Sequence, residues 1–149
     1  MQKTMLIGKT GSGKTTLIQA VKKNKIRYNK TQTMDYYPDF IDTPGEYIEN
    51  RSYYNAIISS VDQCHKIAFV QDAADKDNIF PPNFASTFNQ IVFGIITKID
   101  KENADLVCAE EILRKAGVNK IFKVSSISGK GLKKLKQYLK NKLKNNHDN

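Results

Sequence analysis

Five short apolar runs are spaced along the chain, and each ends at a small or polar residue. Because polar residues do not alternate within these runs, they are typical of strands buried on both faces of a mostly parallel sheet. The predicted strands are residues 4–7, 40–41, 67–70, 91–96 and 121–124.

Longer stretches between these runs have apolar residues at helical spacing. We expect helices there because apolar positions three and four residues apart lie on one helix face. The predicted helices are residues 14–23, 47–61, 82–90, 104–116 and 132–143, with helix stops at Gly117 and in the polar tail after Lys144. The alternation of strands and helices predicts an α/β domain.

The segment 31–40 differs from the rest because Tyr36-Tyr37-Pro38-Asp39 offers a tight turn between two short extended pieces. We expect an antiparallel edge strand at this position. The last residues, 145–149, are polar and are expected to form a frayed tail.

The composition fits one globular domain spanning residues 1–149. The chain is 40% hydrophobic and 26% charged, which excludes collagenous, coiled-coil and disordered proteins. No apolar stretch is long enough to span a bilayer and the N-terminus lacks a cleavage signal, so we expect a cytoplasmic protein. Cys64 and Cys108 have no metal-ligand spacing and are expected to be free thiols.

The strongest motif, Gly8-Lys9-Thr10-Gly11-Ser12-Gly13-Lys14-Thr15, follows a predicted strand and opens a predicted helix. It matches the phosphate loop G-x-x-x-x-G-K-[ST], in which backbone amides and the helix start face a phosphate chain. The lysine of such a loop reaches the terminal phosphates, and the hydroxyl after it binds Mg²⁺. The predicted contacts are Gly8, Gly11, Ser12, Gly13, Lys14, Thr15 and Thr16.

A second motif, Asp42-Thr43-Pro44-Gly45-Glu46, follows the short strand at 40–41. Asp42 is suited to hold a water molecule on Mg²⁺, and the Gly45 amide is suited to contact a γ phosphate. Alone, this sequence is more often a plain turn. Its position after the phosphate loop favours the nucleotide interpretation.

Two further loops follow the last predicted strands. Thr97-Lys98-Ile99-Asp100 places a carboxylate where it can accept hydrogen bonds from guanine, while the stem of Lys98 can lie along the base. Adenine would leave that carboxylate unpaired, which favours GTP over ATP by roughly a hundredfold. In Ser125-Ser126-Ile127, a backbone amide can donate to guanine O6. Each loop is a weak signal alone.

Together, these motifs resemble the small P-loop GTPases. Within them, Lys30-Thr31-Gln32 and Glu46-Tyr47 are similar to the EutP/PduV family of ethanolamine- and propanediol-utilisation proteins. The resemblance implies a three-layer P-loop NTPase fold. Its six-stranded, mostly parallel sheet has helices on both faces and binds nucleotide at the carboxyl ends of the strands. It also implies an association with bacterial microcompartments, and some members are described as ATP-dependent acetate kinases.

The sequence departs from many small GTPases at Glu46, where a glutamine usually orients the attacking water. We consider Lys14 and Glu46 the catalytic candidates, and we expect slow hydrolysis because a carboxylate is repelled by the γ phosphate. The switch threonine that contacts Mg²⁺ is Thr31 or Thr33, and the resemblance favours Thr31.

Three functions therefore stay open: Mg²⁺-dependent binding and slow hydrolysis of GTP to GDP, transfer of a phosphoryl group from ATP to acetate with release of ADP, and a non-catalytic docking module. The net charge is +9, and lysines crowd the predicted last helix. We expect this basic helix to bind an acidic protein or a microcompartment component. Nucleic acid is disfavoured because the lysines are not interleaved with aromatic residues or arginines.

Overall fold

The structure is a computed structural model that describes residues 2–22 and 34–141. The sheet has the strand order β2-β3-β1-β4-β5-β6, in which β3, β1, β4, β5 and β6 form an all-parallel sheet. The predicted α/β class and parallel sheet are confirmed. The strands are β1 (Thr4–Gly8), β2 (Asp35–Tyr36), β3 (Phe40–Asp42), β4 (Lys66–Asp72), β5 (Ile91–Thr97) and β6 (Ile121–Lys123).

At the sheet edge, the two residues of β2 pair with β3 in the antiparallel direction. The backbone between them turns through Pro38, and the Tyr37 amide donates to the Phe40 carbonyl at 2.8 Å. Thr31 and Thr33, the two candidate switch threonines, lie outside the described residues. So does the predicted tail at 145–149.

Helices cover both faces of the sheet because neighbouring strand residues point to opposite sides. They are α1 (Lys14–Val21), α2 (Glu46–Glu49), α3 (Tyr54–Ser60), α4 (Leu106–Lys115) and α5 (Leu132–Lys140). On one face, α1 and α5 pack against Leu6 and Phe93. On the other, α3 and α4 pack against Met5 and Ile7. The result is a sheet enclosed between two hydrophobic cores.

The predicted continuous helix over 47–61 is wrong, since the backbone is extended at Asn50 with φ −126° and ψ 119°. The Asn50 side chain accepts a hydrogen bond from the Ser52 amide at 3.0 Å and caps a short 3₁₀ turn, Arg51–Tyr53. Asparagine favours such caps over helix interiors because its side chain competes for backbone amides. The chain is therefore divided into α2 and α3.

The prediction of a helix over 82–90 is also wrong. This segment contains one 3₁₀ turn, Phe84–Thr87. Asn83 adopts a left-handed conformation with φ 57°, which interrupts a regular helix at its start. Phe80, Phe84 and Phe88 all pack around Phe69 in the core. The three phenylalanines are four residues apart, a spacing that is also typical of one face of a helix. Here they share this spacing because they pack in one aromatic cluster.

Strand register brings the carboxyl ends of β1, β3, β4 and β5 to one edge of the sheet. Gly8 is paired with Val70, Leu6 with Asp42, and Asp72 with Thr97. The loops that leave these strands therefore start next to each other, although up to about ninety residues separate them in sequence. Ligands of open α/β sheets commonly bind at such an edge.

Candidate functional site

A cavity of about 480 Å³ lies at this edge of the sheet. Its volume is within the range of about 300–1,000 Å³ that is common for small-molecule sites. The loop after β1 and the start of α1 contribute Thr10, Gly11, Gly13, Lys14, Thr15 and Thr16. The later loops contribute Gly45, Thr97, Lys98, Asp100, Lys101, Ser126 and Ile127. All four motifs singled out from the sequence thus meet at one cavity.

Lys14 is the most buried cation of this cavity, with 6% of its surface exposed. Its Nζ donates to the carbonyl oxygens of Gly8 at 2.7 Å and Lys9 at 3.2 Å. Burial lowers the pKa of Lys14 to about 8, and the charges of Asp42 and Glu49 act in the opposite direction. The ammonium is therefore held by the loop itself, at a point where it faces the cavity.

Two glycines let the loop turn around this ammonium. Gly11 and Gly13 have φ of 81° and 96°, a left-handed conformation that other residues rarely adopt. The loop between them leads directly into the first turn of α1, whose backbone amides have no partner within the helix. Such a group of amides and a cation is suited to bind an anion.

A pair of oxygen ligands lies next to Lys14. The hydroxyl of Thr15 donates to Oδ2 of Asp42, whose side chain is fully buried at the end of β3. Hydroxyl and carboxylate oxygens are the ligands that Mg²⁺ prefers, so the pair fits this ion with water and phosphate as its further ligands. No group of three or more acidic, histidine or cysteine side chains suited to a metal is present in the described ranges.

Gly45 lies directly on the phosphate-loop motif. A Cβ atom at this position would overlap the backbone nitrogen, Cα and Oγ1 of Thr10, so only glycine fits without a shift. Glu46, our sequence-based catalytic candidate, is exposed at the start of α2. Glu49, which the sequence analysis missed, reaches the loop instead and accepts a hydrogen bond from Thr10 Oγ1 at 3.2 Å.

Lys98 also lines the cavity and links the loop after β5 to the first loop. Its backbone is left-handed with φ 60°, and its Nζ donates to the Gly11 carbonyl at 2.5 Å. An ion pair of 3.0 Å to Asp72 holds it from the other side. Thr97 adds a buried hydrogen bond of 2.5 Å from its hydroxyl to the Ser12 carbonyl.

Asp100 is exposed at the rim of the cavity beside Lys101.

Three of the predicted contact residues lie behind the cavity wall and do not line it. Gly8 and Ser12 provide carbonyl oxygens that bind Lys14 and Thr97. Ser125 is fully buried, and its Oγ accepts from the Ser128 amide at 3.1 Å, which fixes the loop that carries Ser126 and Ile127. The structure thus assigns to these three residues a role in shaping the loops.

Lys9 is directed away from the cavity. Its ammonium forms ion pairs of 3.1 Å with both Asp75 and Asp77, in the loop after β4. These carboxylates raise the pKa of Lys9. The pairs connect the phosphate-loop motif to a neighbouring loop.

The chain is similar to known proteins over most of its length. Residues 1–141 match the family described as ethanolamine utilisation and propanediol utilisation. The chain belongs to the PduV-EutP family. It is 37% identical over 133 residues to the propanediol utilization protein PduV of Citrobacter freundii, with 89% of each chain covered. The predicted family is therefore confirmed.

Other relatives within the PduV-EutP family carry a different name. The chain is 29% identical over 143 residues to a protein of Salmonella typhimurium named probable acetate kinase EutP, covering 93% of this chain and 89% of the relative. The protein of the same name in Escherichia coli is 28% identical over 142 residues. Of the helices in the described ranges, none has the length and apolar character needed to cross a membrane.

Proposed function

We propose that this PduV-EutP protein binds a guanine nucleotide together with Mg²⁺ and hydrolyses GTP slowly to GDP. The observation that supports the proposal is the convergence of four separate loops on one cavity of nucleotide size. Lys14, Thr15, Lys98 and Asp100 all line it, and Asp42 lies behind Thr15 and accepts the hydrogen bond from its hydroxyl. Lys14 with the Thr15 and Asp42 oxygens suits the phosphates and Mg²⁺ of a nucleotide, and Asp100 with the Lys98 stem suits its purine base.

At the phosphate end, Lys14 and the amides of the Gly11–Thr16 segment would bind the phosphates. Mg²⁺, held by Thr15 and through water by Asp42, would supply neutralisation of phosphate charge. Lys14 is poised for this contact because carbonyl oxygens already orient its ammonium toward the cavity side of the loop. Thr31 remains our candidate for a further ligand from the first switch.

At the base end, Asp100 would accept hydrogen bonds from guanine, and Ser126 or Ile127 would donate a backbone amide to its O6. The stem of Lys98 is held along the cavity wall by Gly11 and Asp72. This fixed position suits stacking of a base on the stem. Adenine would leave the Asp100 carboxylate without its donors.

We infer slow hydrolysis from two glutamates of α2, the helix that follows Gly45. Glu46 takes the place of a water-orienting glutamine, and Glu49 lies against Thr10. Carboxylates beside a terminal phosphate raise the energy of a reaction that develops negative charge there.

Calorimetric titration with GTP, GDP, ATP and ADP in the presence of Mg²⁺ tests this proposal. We expect guanine nucleotides to bind roughly a hundredfold more tightly than adenine nucleotides, and Asp100→Asn to abolish most of that preference. Equal or tighter binding of ATP would contradict the guanine assignment while leaving phosphate binding intact.

Phosphoryl transfer from ATP to acetate is the second candidate, and the name probable acetate kinase of the Salmonella and Escherichia relatives favours it. It requires a cationic group for acetate beside the terminal phosphate. Lys9 is neutralised by Asp75 and Asp77, whereas Arg51 is exposed in the 3₁₀ turn after α2. Formation of acetyl phosphate from ATP and acetate, lost in Lys14→Met and Arg51→Gln, would establish this activity.

The basic helix α5 supports a proposal about partners and location. Leu132 and Leu135 pack into the core, whereas Lys133 and Lys134 are exposed. An acidic protein surface, such as a microcompartment component in the cytoplasm, is the partner that fits. If the protein is only a docking module, GTP incubated with it and Mg²⁺ would stay intact, and partner binding would not respond to nucleotide.

A further inference from the structure

Glu49 is the last residue of α2 and lies beside the phosphate-loop motif. Its Oε2 accepts the hydrogen bond from Thr10 Oγ1 at 3.2 Å, across thirty-nine positions of sequence. Thr10 in turn packs against Gly45, and both line the cavity together with Lys14. The hydrogen bond therefore holds a carboxylate next to the loop that would receive the terminal phosphate.

Within the described part of the chain, no basic side chain neutralises the charge of Glu49. No lysine or arginine within residues 2–22 and 34–141 forms an ion pair with it. Its field nevertheless reaches the Lys14 ammonium, whose pKa it raises against the effect of burial. A negative charge close enough to raise the pKa of Lys14 would also repel a phosphate that Lys14 binds.

The two acidic side chains near Lys14 differ in what surrounds them. Asp42 is fully buried and bonded to the Thr15 hydroxyl, where Mg²⁺ would compensate its charge. Glu49 is exposed and contacts a threonine outside that pair of oxygen ligands. The terminal phosphate, which carries the largest negative charge of a triphosphate, would lie nearest to this carboxylate.

We propose that Glu49 is a specificity-determining residue that disfavours a terminal phosphate, so that the protein binds a nucleoside diphosphate in preference to the triphosphate. The proposal rests on the proposed function, because it needs a nucleotide in this cavity. Repulsion between two negative charges at a protein surface is reduced by water but still amounts to about tenfold in affinity when they are a few ångströms apart.

The test is calorimetric titration of wild type and Glu49→Gln with GDP and with the non-hydrolysable analogue guanosine 5′-(β,γ-imido)triphosphate, with Mg²⁺ present. Glutamine keeps an oxygen that accepts from Thr10 but removes the charge. We expect the ratio of triphosphate Kd to diphosphate Kd to fall about tenfold, through tighter binding of the triphosphate. Glu111→Gln, an exposed glutamate of α4, serves as the matched control and should leave the ratio unchanged.

The outcomes separate this inference from the function on which it rests. Both nucleotides bound by wild type, with the same ratio in Glu49→Gln, would overturn the role of Glu49 alone. No binding of either nucleotide to the folded wild type would overturn the nucleotide site and this role with it. Titration with ADP and an adenine triphosphate analogue in parallel keeps the test valid if adenine is the preferred base.

Discussion

Among residues 2–22 and 34–141, two lysines are buried almost completely, and they lie at opposite ends of the sheet. Lys14 at the carboxyl edge is 6% exposed, and Lys66 at the start of β4 is 3% exposed. Both donate to two backbone carbonyls. Lys14 binds those of Gly8 and Lys9, and Lys66 binds those of Tyr138 and Asn141 at 2.9 and 2.8 Å. Burial lowers the pKa of both.

Their surroundings nevertheless differ. Lys66 binds the carbonyls of Tyr138 in α5 and of Asn141 just after it, and its Nζ lies 4.8 Å from the Tyr138 ring centroid, so it holds the end of the helix against the sheet. Lys14 lines a cavity, and the charges of Asp42 and Glu49 raise its pKa against the effect of burial. Burial and a lowered pKa therefore do not separate Lys66 from Lys14, which we propose binds phosphate, whereas the open cavity and the nearby carboxylates do.

Replacing Lys14 by methionine should have the largest effect on ligand binding. We expect Mg²⁺-GDP to bind about a thousandfold more weakly, since two or more charge-assisted hydrogen bonds to phosphate are lost. Fluorescence titration with a labelled GDP measures the change, and Lys66→Met is its matched control. Comparable loss of affinity in both variants would show that the two lysines do not differ as we describe.

The pH dependence of stability should separate wild type from Lys14→Met. Between pH 8, where folded Lys14 titrates, and 10.5, its ordinary pKa, the unfolded chain binds more protons than the folded one. The free energy of unfolding of wild type should therefore rise with pH relative to the variant, by about 3 kcal/mol over this window.

Urea unfolding of both proteins from pH 7 to 10.5 measures this difference. Lys66 is present in both proteins, so its own titration cancels. A difference that stays constant with pH would mean that the Lys14 ammonium is not destabilised by burial.

Replacing Lys66 by methionine should reduce stability and spare binding. We expect the free energy of unfolding to fall by about 2 kcal/mol, because the carbonyls of Tyr138 and Asn141 lose their donor. Thermal and urea unfolding measure the effect, with Lys134→Met, an exposed substitution on α5, as control. If Lys66→Met left stability unchanged and weakened GDP binding, the roles assigned to the two lysines would be contradicted.

The sequence predicted the sheet well because most strand residues are buried, β6 at the sheet edge being the exception. β1, β3, β4, β5 and β6 each lie within two residues of a predicted apolar run. The predicted helices over 47–61 and 82–90 are wrong because of local contacts that the spacing of apolar residues does not reveal. Asn50 caps a new turn, and three phenylalanines meet Phe69 across the core.

Motif spacing also predicted which loops meet at the cavity, but it did not predict the contacts between them. The hydrogen bond between Thr10 and Glu49, and the ion pair between Asp72 and Lys98, join residues that are distant in sequence. Each depends on strand register and loop shape together. Lys66 had no sequence signal either, since its partners are backbone carbonyls that any residue provides.

A crystal structure of the protein with Mg²⁺ and GDP tests the central claim most directly. We predict phosphate density at residues 11–16 in contact with Lys14 Nζ, and a guanine beside Lys98 and Asp100, while Lys66 keeps the carbonyls of Tyr138 and Asn141 as its partners. Nucleotide bound at another place, or phosphates that make no contact with Lys14, would contradict it.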